Sequence, residues 1–442
     1  MTNPIDRRIF LGGALGLPAA LAGQGGKTAK KPPAPSRLPR LDPASRRTLG
    51  RTGLKVGLLG LGAIPGKPTL LYNAALDAGV NLLDTAKAYG DDELRKAPVV
   101  KARRKEIVLC SKTYIPVGGK KPAEIKKRAK ADCERSLKRL GTDWLDIYHI
   151  HAAGHLVWRP EYEPLLEAFE ELRKEGKIRF IGVSTHRAAG DPEGVVKTLD
   201  TGKIDVLLVG YNFLHPGKPF ERIFEAVRRN HVGVIAMKTG AGNFKQAYLP
   251  DKTVEWREEF RILKDHWRLL PRLKPFLKEG RSVPATGLAW ALARPEVACA
   301  ISALRNFSQL RENLEAAAGE GRPLKKKEEA LLDEYRKGAG HLACRLCGSC
   351  RDACPVGVDL PEAARTTLYA LGYQDLGKAR ALQASLPPFS RADQCARCGS
   401  CEDACPHGVD LPRLVTLAWL FTKPKKQAPP EPGEKGSTDP GT

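Results

Sequence analysis

Eight of the eleven cysteines form two copies of one pattern near the end of the 442-residue chain. The first copy comprises Cys344, Cys347, Cys350 and Cys354. The second copy, offset by 51 positions, comprises Cys395, Cys398, Cys401 and Cys405. A proline follows the last cysteine of each copy, and 14 of the 18 positions from Cys344 to Pro361 match those from Cys395 to Pro412. The segment is therefore a duplicated module, and its fold must place eight thiols at fixed intervals.

The spacing C-x2-C-x2-C-x3-C-P predicts two [4Fe-4S] clusters. Three thiolates of such a run lie around one loop, and the fourth is carried away by the turn before proline and binds the other cluster. The first cluster is thus expected on Cys344, Cys347, Cys350 and Cys405. The second is expected on Cys395, Cys398, Cys401 and Cys354. Zinc is the alternative, but a zinc ribbon needs only paired C-x2-C knuckles. Disulfides fit the spacing less well still.

The segment between the two copies, Leu360 to Leu386, has a helical pattern with no β-branched run. The module therefore resembles the α-helical ferredoxins found beside flavoprotein and quinone oxidoreductases. That resemblance implies transfer of single electrons to or from a redox partner protein or a quinone. A purely structural pair of clusters remains the alternative.

Residues 47–320 alternate short apolar runs with amphipathic stretches, which is typical of a parallel sheet with crossover helices. Seven strands are predicted, at Val80–Asp84, Glu106–Lys112, Trp144–His151, Ile178–Ser184, Val206–Tyr211, Val232–Lys238 and Val297–Ser302. An eighth is placed ahead of them at Val56–Leu61. About 270 residues in this rhythm predict an α/β fold, one (β/α)8 TIM barrel, followed by the small helical ferredoxin-like domain.

Polar residues cluster at the carboxyl ends of these strands, where barrel enzymes keep their catalytic groups. Asp84-Thr85-Ala86 with Tyr89-Gly90 closes one strand, Lys112 ends the next, and His151 ends the third. These motifs, with Leu49–Val56, Gly176–Ser184 and Arg305–Leu314, resemble the aldo-keto reductases over nearly the whole barrel. The resemblance implies a catalytic tetrad of Asp84, Tyr89, Lys112 and His151.

The chemistry of carbonyl reduction explains why these four side chains belong together. Hydride addition leaves a developing alkoxide, which needs a proton donor and positive charge beside it. Tyr89 would donate the proton, and the ammonium of Lys112 would make its phenol a stronger acid. Asp84 would keep Lys112 charged and in place, while His151 would orient the substrate oxygen. Taken singly, each residue could serve only as a structural partner of a neighbour.

The resemblance also implies a nicotinamide cofactor, NADP in preference to NAD. The residues matching the adenosine end are Ser302, Arg305, Gln309, Glu312 and Asn313. Arg305 is expected to hold the 2′-phosphate of NADP. Residues matching the nicotinamide end are Ser184, Met237 and Lys238.

The nicotinamide end departs from the family pattern at three positions. Thr185 replaces the usual Asn, Leu208 stands where a Gln is common, and Met237 stands where a stacking Tyr is common. The pair Met237-Lys238 resembles a variant found in reductases with iron-sulfur tails. We therefore interpret the departures as a subfamily change.

Some barrel residues are predicted to have structural roles only. His149 is expected to be a buried, hydrogen-bonded filler one layer below His151. Cys110, Cys133 and Cys299 are expected to be small buried hydrophobic residues.

The chain carries 73 Lys and Arg against 50 Asp and Glu, a net charge of +23. The basic clusters Lys27–Arg51, Arg95–Lys105 and Lys120–Arg139 contain no interleaved aromatics and no nucleic-acid module. They predict solvated basic faces and argue against nucleic-acid binding.

Near its start the chain carries Asp6-Arg7-Arg8-Ile9-Phe10-Leu11, followed by a Gly/Ala/Leu stretch that ends at Ala22. This segment resembles a twin-arginine (Tat) signal peptide, so residues 1–22 are expected to direct export to the periplasm. A disordered basic N-terminus is the alternative, in which case the protein would be cytoplasmic. The apolar stretch is shorter than the roughly 20 residues that cross a bilayer, so no transmembrane anchor is expected.

The remaining segments complete the predicted domain organisation. Residues 23–46 are expected to be a linker, 321–340 a helical connector, 341–422 the dicluster domain and 423–442 a disordered tail. An insertion at Thr253–Gly280 is expected to be helical, as a substrate lid or as packing on the barrel rim.

The sequence thus predicts an exported oxidoreductase that interconverts a small carbonyl and an alcohol and exchanges electrons through its clusters. The alternative is an electron-transfer or redox-sensing protein in which the barrel is a scaffold or binding module without turnover.

Overall fold

The computed structural model describes residues 38–64, 66, 68–214, 217–240, 282–318, 324–339, 344–372 and 375–422. The predicted signal peptide, the insertion at Thr253–Gly280 and the C-terminal tail lie outside these residues. So do residues 23–37 of the predicted linker and the ends of the predicted connector.

Eight parallel strands form a closed barrel in the order β10-β3-β4-β5-β6-β7-β8-β9. The barrel strands are β3 Leu59–Leu61, β4 Leu82–Asp84, β5 Val108–Thr113, β6 Leu145–Ile150, β7 Ile178–Thr185, β8 Val206–Gly210, β9 Gly233–Met237 and β10 Val297–Ser302. Nearly every residue of these strands is buried, because one side faces the barrel interior and the other faces the surrounding helices. The TIM-barrel prediction is confirmed.

The helices around the barrel include α1 Thr69–Asp77, α2 Asp92–Arg103, α3 Pro122–Leu140, α4 Glu163–Lys174, α5 Pro192–Asp200, α6 Lys218–Arg229, α7 Val283–Leu292 and α8 Phe307–Ala318. Each buries an apolar face, as in α4, where Leu165, Phe169 and Leu172 are fully buried. None of the helices in the described ranges is long and apolar enough to cross a bilayer.

The predicted first strand, Val56–Leu61, is interrupted in the structure. Its first residue belongs to a hairpin, β1 Arg47–Thr48 paired with β2 Lys55–Val56, and only Leu59–Leu61 enters the barrel. The Arg47 Nη1 atom donates to the carbonyls of Leu292, Arg294 and Val297, at 2.9, 3.3 and 2.6 Å. This side chain fastens the hairpin to the turn before the last barrel strand.

The barrel domain begins earlier than the predicted boundary at residue 47. Leu41 lies in the hydrophobic core, and its backbone N–H donates to the carbonyl of Ala78 at 2.8 Å. The end of the predicted linker therefore packs on the barrel.

The duplicated module is helical, as predicted. Helix α9 (Lys326–Ala339) precedes it, and the module contains α10 Leu360–Thr367, α11 Leu376–Ser385 and α12 Leu411–Thr422. Tyr335 of α9 is fully buried and packs edge-on against Phe213 of the barrel, with ring centroids 5.6 Å apart. The connector thus packs on the barrel through the face that carries Tyr335.

Candidate functional site

The carboxyl ends of β4 and β5 hold a buried ion pair. The Lys112 Nζ atom donates to both carboxylate oxygens of Asp84, at 2.7 and 2.6 Å, and to the carbonyl of Thr85 at 2.7 Å. Both side chains are almost inaccessible to solvent. Burial opposes charge on Lys112, but the neighbouring carboxylate of Asp84 raises its pKa above the ordinary value. Lys112 is therefore an ammonium at neutral pH.

Two aromatic side chains lie beside this ion pair. The Lys112 ammonium is 5.0 Å from the centroid of the Tyr89 ring. Tyr89 and His151 meet edge to face, with ring centroids 5.7 Å apart. Burial, and then the charge of Lys112, lowers the pKa of His151 to about 4, so this imidazole is neutral at neutral pH. The structure thus brings together the four residues predicted as a tetrad.

A second buried ion pair supports the first and was not identified from the sequence. Lys96 and Asp92 of α2 are fully buried and 2.5 Å apart. The Thr85 hydroxyl donates to Asp92 at 2.7 Å, and Lys96 donates to the carbonyl of Gly62 at 3.2 Å. Asp92 therefore positions Thr85, whose carbonyl accepts a hydrogen bond from Lys112. The only sequence signal was the i, i+4 spacing of Asp92 and Lys96.

The prediction that Arg95–Lys105 forms a solvated basic face is wrong at Lys96, which is buried. Its ammonium has no exposed surface and lies 4.9 Å from the centroid of the Tyr72 ring. Arg104 of the same cluster is largely covered as well, paired with Asp146 at 3.0 Å. Lys96 and Arg104 thus neutralise buried carboxylates instead of facing solvent.

Residues predicted at the nicotinamide end lie on β7 and β9. The Ser184 hydroxyl accepts a hydrogen bond from the Ala152 amide at 2.9 Å. Met237 is buried at the end of β9, and Lys238 follows with a left-handed backbone at φ 59°. Leu208, where a Gln was expected from the resemblance, is fully buried in the barrel interior with Met237. A polar side chain at position 208 would face this apolar cluster.

Residues predicted at the adenosine end lie around the turn from β10 into α8. Asn313 donates to the Ser302 hydroxyl at 2.9 Å, and Glu312 accepts from the Ser282 amide at 2.9 Å. The Gln309 side chain accepts from the Arg305 amide at 2.7 Å. Arg305 itself is exposed. Glu312 and Asn313 thus shape the turn, while the guanidinium of Arg305 is accessible to an anionic ligand.

Four cysteines of the module line a common cavity of about 180 Å³. They are Cys354 from the first copy and Cys395, Cys398 and Cys401 from the second. Four thiols around a volume of this size fit a cofactor larger than a single ion. This is the crossed grouping that the Cys-Pro step predicts.

The other four cysteines are grouped in the same way. Burial, followed by the neighbouring thiols of Cys405 and Cys347, raises the pKa of the Cys350 thiol to about 11. The Cys344 thiol likewise lies near those of Cys350, Cys347 and Cys405. The last cysteine of the second copy therefore lies with the first three of the first copy.

The local geometry of the two cysteine loops is repeated. Leu346 and Arg397, at equivalent positions, have left-handed backbones with φ 55° and 56°. Their amides point at the thiols two residues earlier, with N to Sγ distances of 3.3 and 3.4 Å. Backbone N–H groups directed at sulfur are a common feature of iron-sulfur ligand loops.

The sequence model of the Aldo/keto reductase family matches residues 68–337. The chain belongs to the aldo/keto reductase family. A second model, the 4Fe-4S dicluster domain, matches residues 343–410. The protein is thus an oxidoreductase with an aldo/keto reductase barrel and a C-terminal 4Fe-4S dicluster domain.

Known relatives match the barrel part of this aldo/keto reductase. The uncharacterized oxidoreductase YqkF of Bacillus subtilis (strain 168) is 26% identical over 314 residues, which are 66% of this chain and 96% of that protein. The NADH-specific methylglyoxal reductase of Escherichia coli (strain K12) is 27% identical over 319 residues, 61% of this chain and 92% of that protein. Among solved structures, an aldo/keto reductase from Klebsiella pneumoniae in complex with NADP and acetate is 25% identical, with a TM-score of 0.49. That match covers 66% of this chain and 95% of the Klebsiella chain.

The reductase barrel also contains the residues predicted to be structural. Cys110, Cys133 and Cys299 are free and fully buried, as expected. His149 is fully buried too, as expected. Its ring occupies the space beside Gly182, where an added Cβ would lie 2.4 Å from the His149 Cδ2 atom. Gly182 is therefore required for His149 to fit.

The dicluster domain of the reductase contacts the loop between β7 and α5. A Cβ built on Gly190 would lie 2.4 Å from the Cβ and 2.7 Å from the Cα of Cys347. The same loop is bonded to the end of β7, because the Arg187 amide donates to the Thr185 hydroxyl at 3.0 Å. One cysteine loop thus lies directly on a loop of the catalytic face.

Proposed function

We propose that the protein is an NADP-dependent oxidoreductase that interconverts a small carbonyl compound and an alcohol. The observation that carries this proposal is the buried Lys112–Asp84 pair beside Tyr89 and His151. Structural ion pairs do not need two aromatic side chains with exchangeable protons at their open end, whereas carbonyl reduction does.

The residues act together on the substrate oxygen. Tyr89 donates its hydroxyl proton to the oxygen on which negative charge develops. Lys112, held by both oxygens of Asp84 and by the Thr85 carbonyl, stabilises the tyrosinate that remains. The neutral imidazole of His151 orients the substrate oxygen through a hydrogen bond. NADPH, which Arg305 and the other residues at the turn into α8 would hold, would supply the hydride when bound.

Arg305 supports NADP over NAD. It is exposed at the turn from β10 into α8, and a guanidinium can bind a phosphate through two parallel hydrogen bonds. The test is to release and identify the nucleotide from protein purified without added cofactor. Stoichiometric NADP supports the enzyme, and clusters without any nucleotide would favour the alternative of a scaffold barrel.

We infer that the dicluster domain holds two [4Fe-4S] clusters and couples the barrel to a one-electron partner, a redox protein or a quinone. The crossed arrangement of Cys354 with Cys395, Cys398 and Cys401 supports this inference. A cluster supplies or accepts one electron at a time. Protein purified without oxygen should contain about eight irons per chain, whereas zinc would contradict the proposal.

The crossed ligand sets predict how cysteine substitutions combine. Cys354→Ser alone should lower the iron content to about four per chain, because one cluster loses a ligand. Adding Cys398→Ser should cause no further loss, since both residues bind the same cluster. Adding Cys347→Ser to Cys354→Ser should instead remove the remaining iron. Iron analysis of the two double variants checks this, and the reverse pattern would show that each copy binds its own cluster.

We also propose that residues 1–22 direct export of the folded protein. Both clusters and NADP are acquired in the cytoplasm, so a chain that carries them must cross the membrane folded. Arg7→Lys combined with Arg8→Lys keeps the charge but removes the guanidinium groups. This variant should fold, bind its clusters and accumulate in the cytoplasm. Cell fractionation is the measurement, with Arg40→Lys as control, and the hypothesis fails if the double variant is still exported.

A further inference from the structure

The two copies of the cysteine motif carry different charges although fourteen of their eighteen positions are identical. Residues 344–361 contain two cations and two anions, Arg345, Arg351, Asp352 and Asp359. Residues 395–412 contain one cation and three anions, Arg397, Glu402, Asp403 and Asp410. The change from Arg351 to Glu402 at equivalent positions accounts for the whole difference in net charge, because the other two charge changes cancel. The second copy is therefore more negative.

The side chains next to two equivalent glycines, Gly348 and Gly399, increase this difference in charge. A Cβ built on Gly348 would lie 3.6 and 3.8 Å from the Nη1 and Nη2 atoms of Arg187, a residue of the barrel. A Cβ built on Gly399 would lie 3.2 Å from the Oε1 atom of Glu402. Each glycine directly follows a predicted ligand, Cys347 or Cys398. The barrel thus adds a cation beside one cysteine site, while the other has a carboxylate in the same place.

The two cysteine sites also differ in their exposure to solvent. Cys347 is half-buried against Gly190 of the barrel, whereas Cys398 is exposed to solvent. The first cysteine site, Cys344, Cys347, Cys350 and Cys405, therefore faces the barrel. The second, Cys395, Cys398, Cys401 and Cys354, faces outward.

From these charges we propose that Arg187 of the barrel and Glu402 of the module make the two cysteine sites unequal, with the higher reduction potential at the barrel-facing site. The inference rests on the proposed function, since it requires a [4Fe-4S] cluster at each site. Reduction adds one negative charge to a cluster, which a nearby cation favours and a nearby carboxylate opposes. Transfer of one electron between the sites forms no bond and moves no proton. The difference in potential alone therefore directs an electron from the exposed site toward the barrel.

Burial acts in the opposite sense, because a less polar environment disfavours the added charge at the barrel-facing site. Arg187 is part of the same barrel surface that causes this burial, and it lies within contact distance of the ligand loop. Arg187 is half-buried, so its charge is weakly screened, whereas Glu402 is exposed and acts mainly through its short distance from the ligand loop. The electrostatic contribution is thus expected to exceed that of burial.

The test is a potentiometric titration of the full-length, cluster-loaded protein, followed by electron paramagnetic resonance. Cys398→Ser identifies the signal of the exposed site, because it replaces a ligand there. Arg187→Gln should lower the reduction potential of the barrel-facing site by about 59 mV, which for one electron corresponds to about a tenfold change in the equilibrium constant for reduction. Glu402→Gln should raise the potential of the exposed site by a similar amount. Arg187→Lys, which keeps the charge, should retain most of the unmodified potential, and Arg128→Gln on α3 should change neither signal.

The inference is contradicted if the site altered by Cys398→Ser has the higher potential, or if Arg187→Gln leaves both potentials unchanged. Two clusters of equal potential would overturn the inference but leave the proposed function intact. A chain that binds no iron under anaerobic conditions would overturn both this inference and the proposal that the dicluster domain holds two [4Fe-4S] clusters.

Discussion

Replacing Tyr89 with phenylalanine is expected to lower turnover of a carbonyl substrate by about 10²- to 10⁴-fold. The substitution removes the hydroxyl proton but keeps the ring that packs against His151 and lies over the Lys112 ammonium. Binding of the nucleotide should change little, because the hydroxyl serves the reacting oxygen. Steady-state kinetics with NADPH, together with nucleotide binding by fluorescence, separate these two effects.

Tyr114→Phe provides a matched control. Tyr114 follows β5 on the same side of the barrel and is 55% exposed, without contact to the Lys112–Asp84 pair in any hydrogen bond or ring interaction of the described residues. Its turnover should remain within about twofold of that of the unmodified protein. If Tyr89→Phe is equally active, the barrel does not use Tyr89 as its proton donor.

Replacing Lys112 with methionine is expected to abolish turnover and to lower the free energy of unfolding by about 3 to 5 kcal/mol. Methionine fills a similar volume but leaves the Asp84 carboxylate buried without its partner. Denaturant titration measured by circular dichroism gives the stability. A variant as stable as the unmodified protein would contradict the assignment of a buried, charged pair.

The double variant Lys112→Met with Asp84→Asn separates stability from catalysis. It contains neither charge, so it should recover much of the lost stability but none of the turnover. The stability deficit of Lys112→Met alone should also depend on pH. Burial raises the pKa of the Asp84 carboxyl. The folded protein therefore becomes less stable as the pH rises toward that pKa, because the buried carboxyl must then lose its proton. The deficit should therefore be greater at about pH 8 than at about pH 5.

The barrel could be predicted because each strand is a short apolar run buried on both sides. The last strand, Val297–Ser302, has the predicted limits, and others differ by one or two residues. The predicted first strand differs from the observed one because Gly57 and Leu58 look continuous with their neighbours in sequence, whereas the backbone turns there from the hairpin into the barrel. Such a turn depends on Asn81, which accepts from the Gly57 amide at 2.8 Å across 24 residues of sequence.

The tetrad residues could be found because they follow successive strands, whose ends meet at one face of the barrel. Asp92 and Lys96 could not be found in this way. They lie on a helix among charged residues, and their burial depends on how α2 packs against α1 and the β3 end. The role of Arg187 was equally hidden, because its proximity to Gly348 arises from contacts between residues about 160 positions apart.

The closure of the barrel between β10 and β3 has a consequence for synthesis of the chain. β3 pairs with β4 on one side, but its other neighbour is β10, near the end of the barrel sequence. While the ribosome makes the residues between Leu61 and Val297, one edge of β3 therefore has no strand to pair with. Unpaired edges recruit strands from other chains, so nascent chains on crowded polysomes are expected to associate at this edge until Val297–Ser302 emerge. The cysteine loops are translated later still, so cluster insertion begins only after this vulnerable interval has ended.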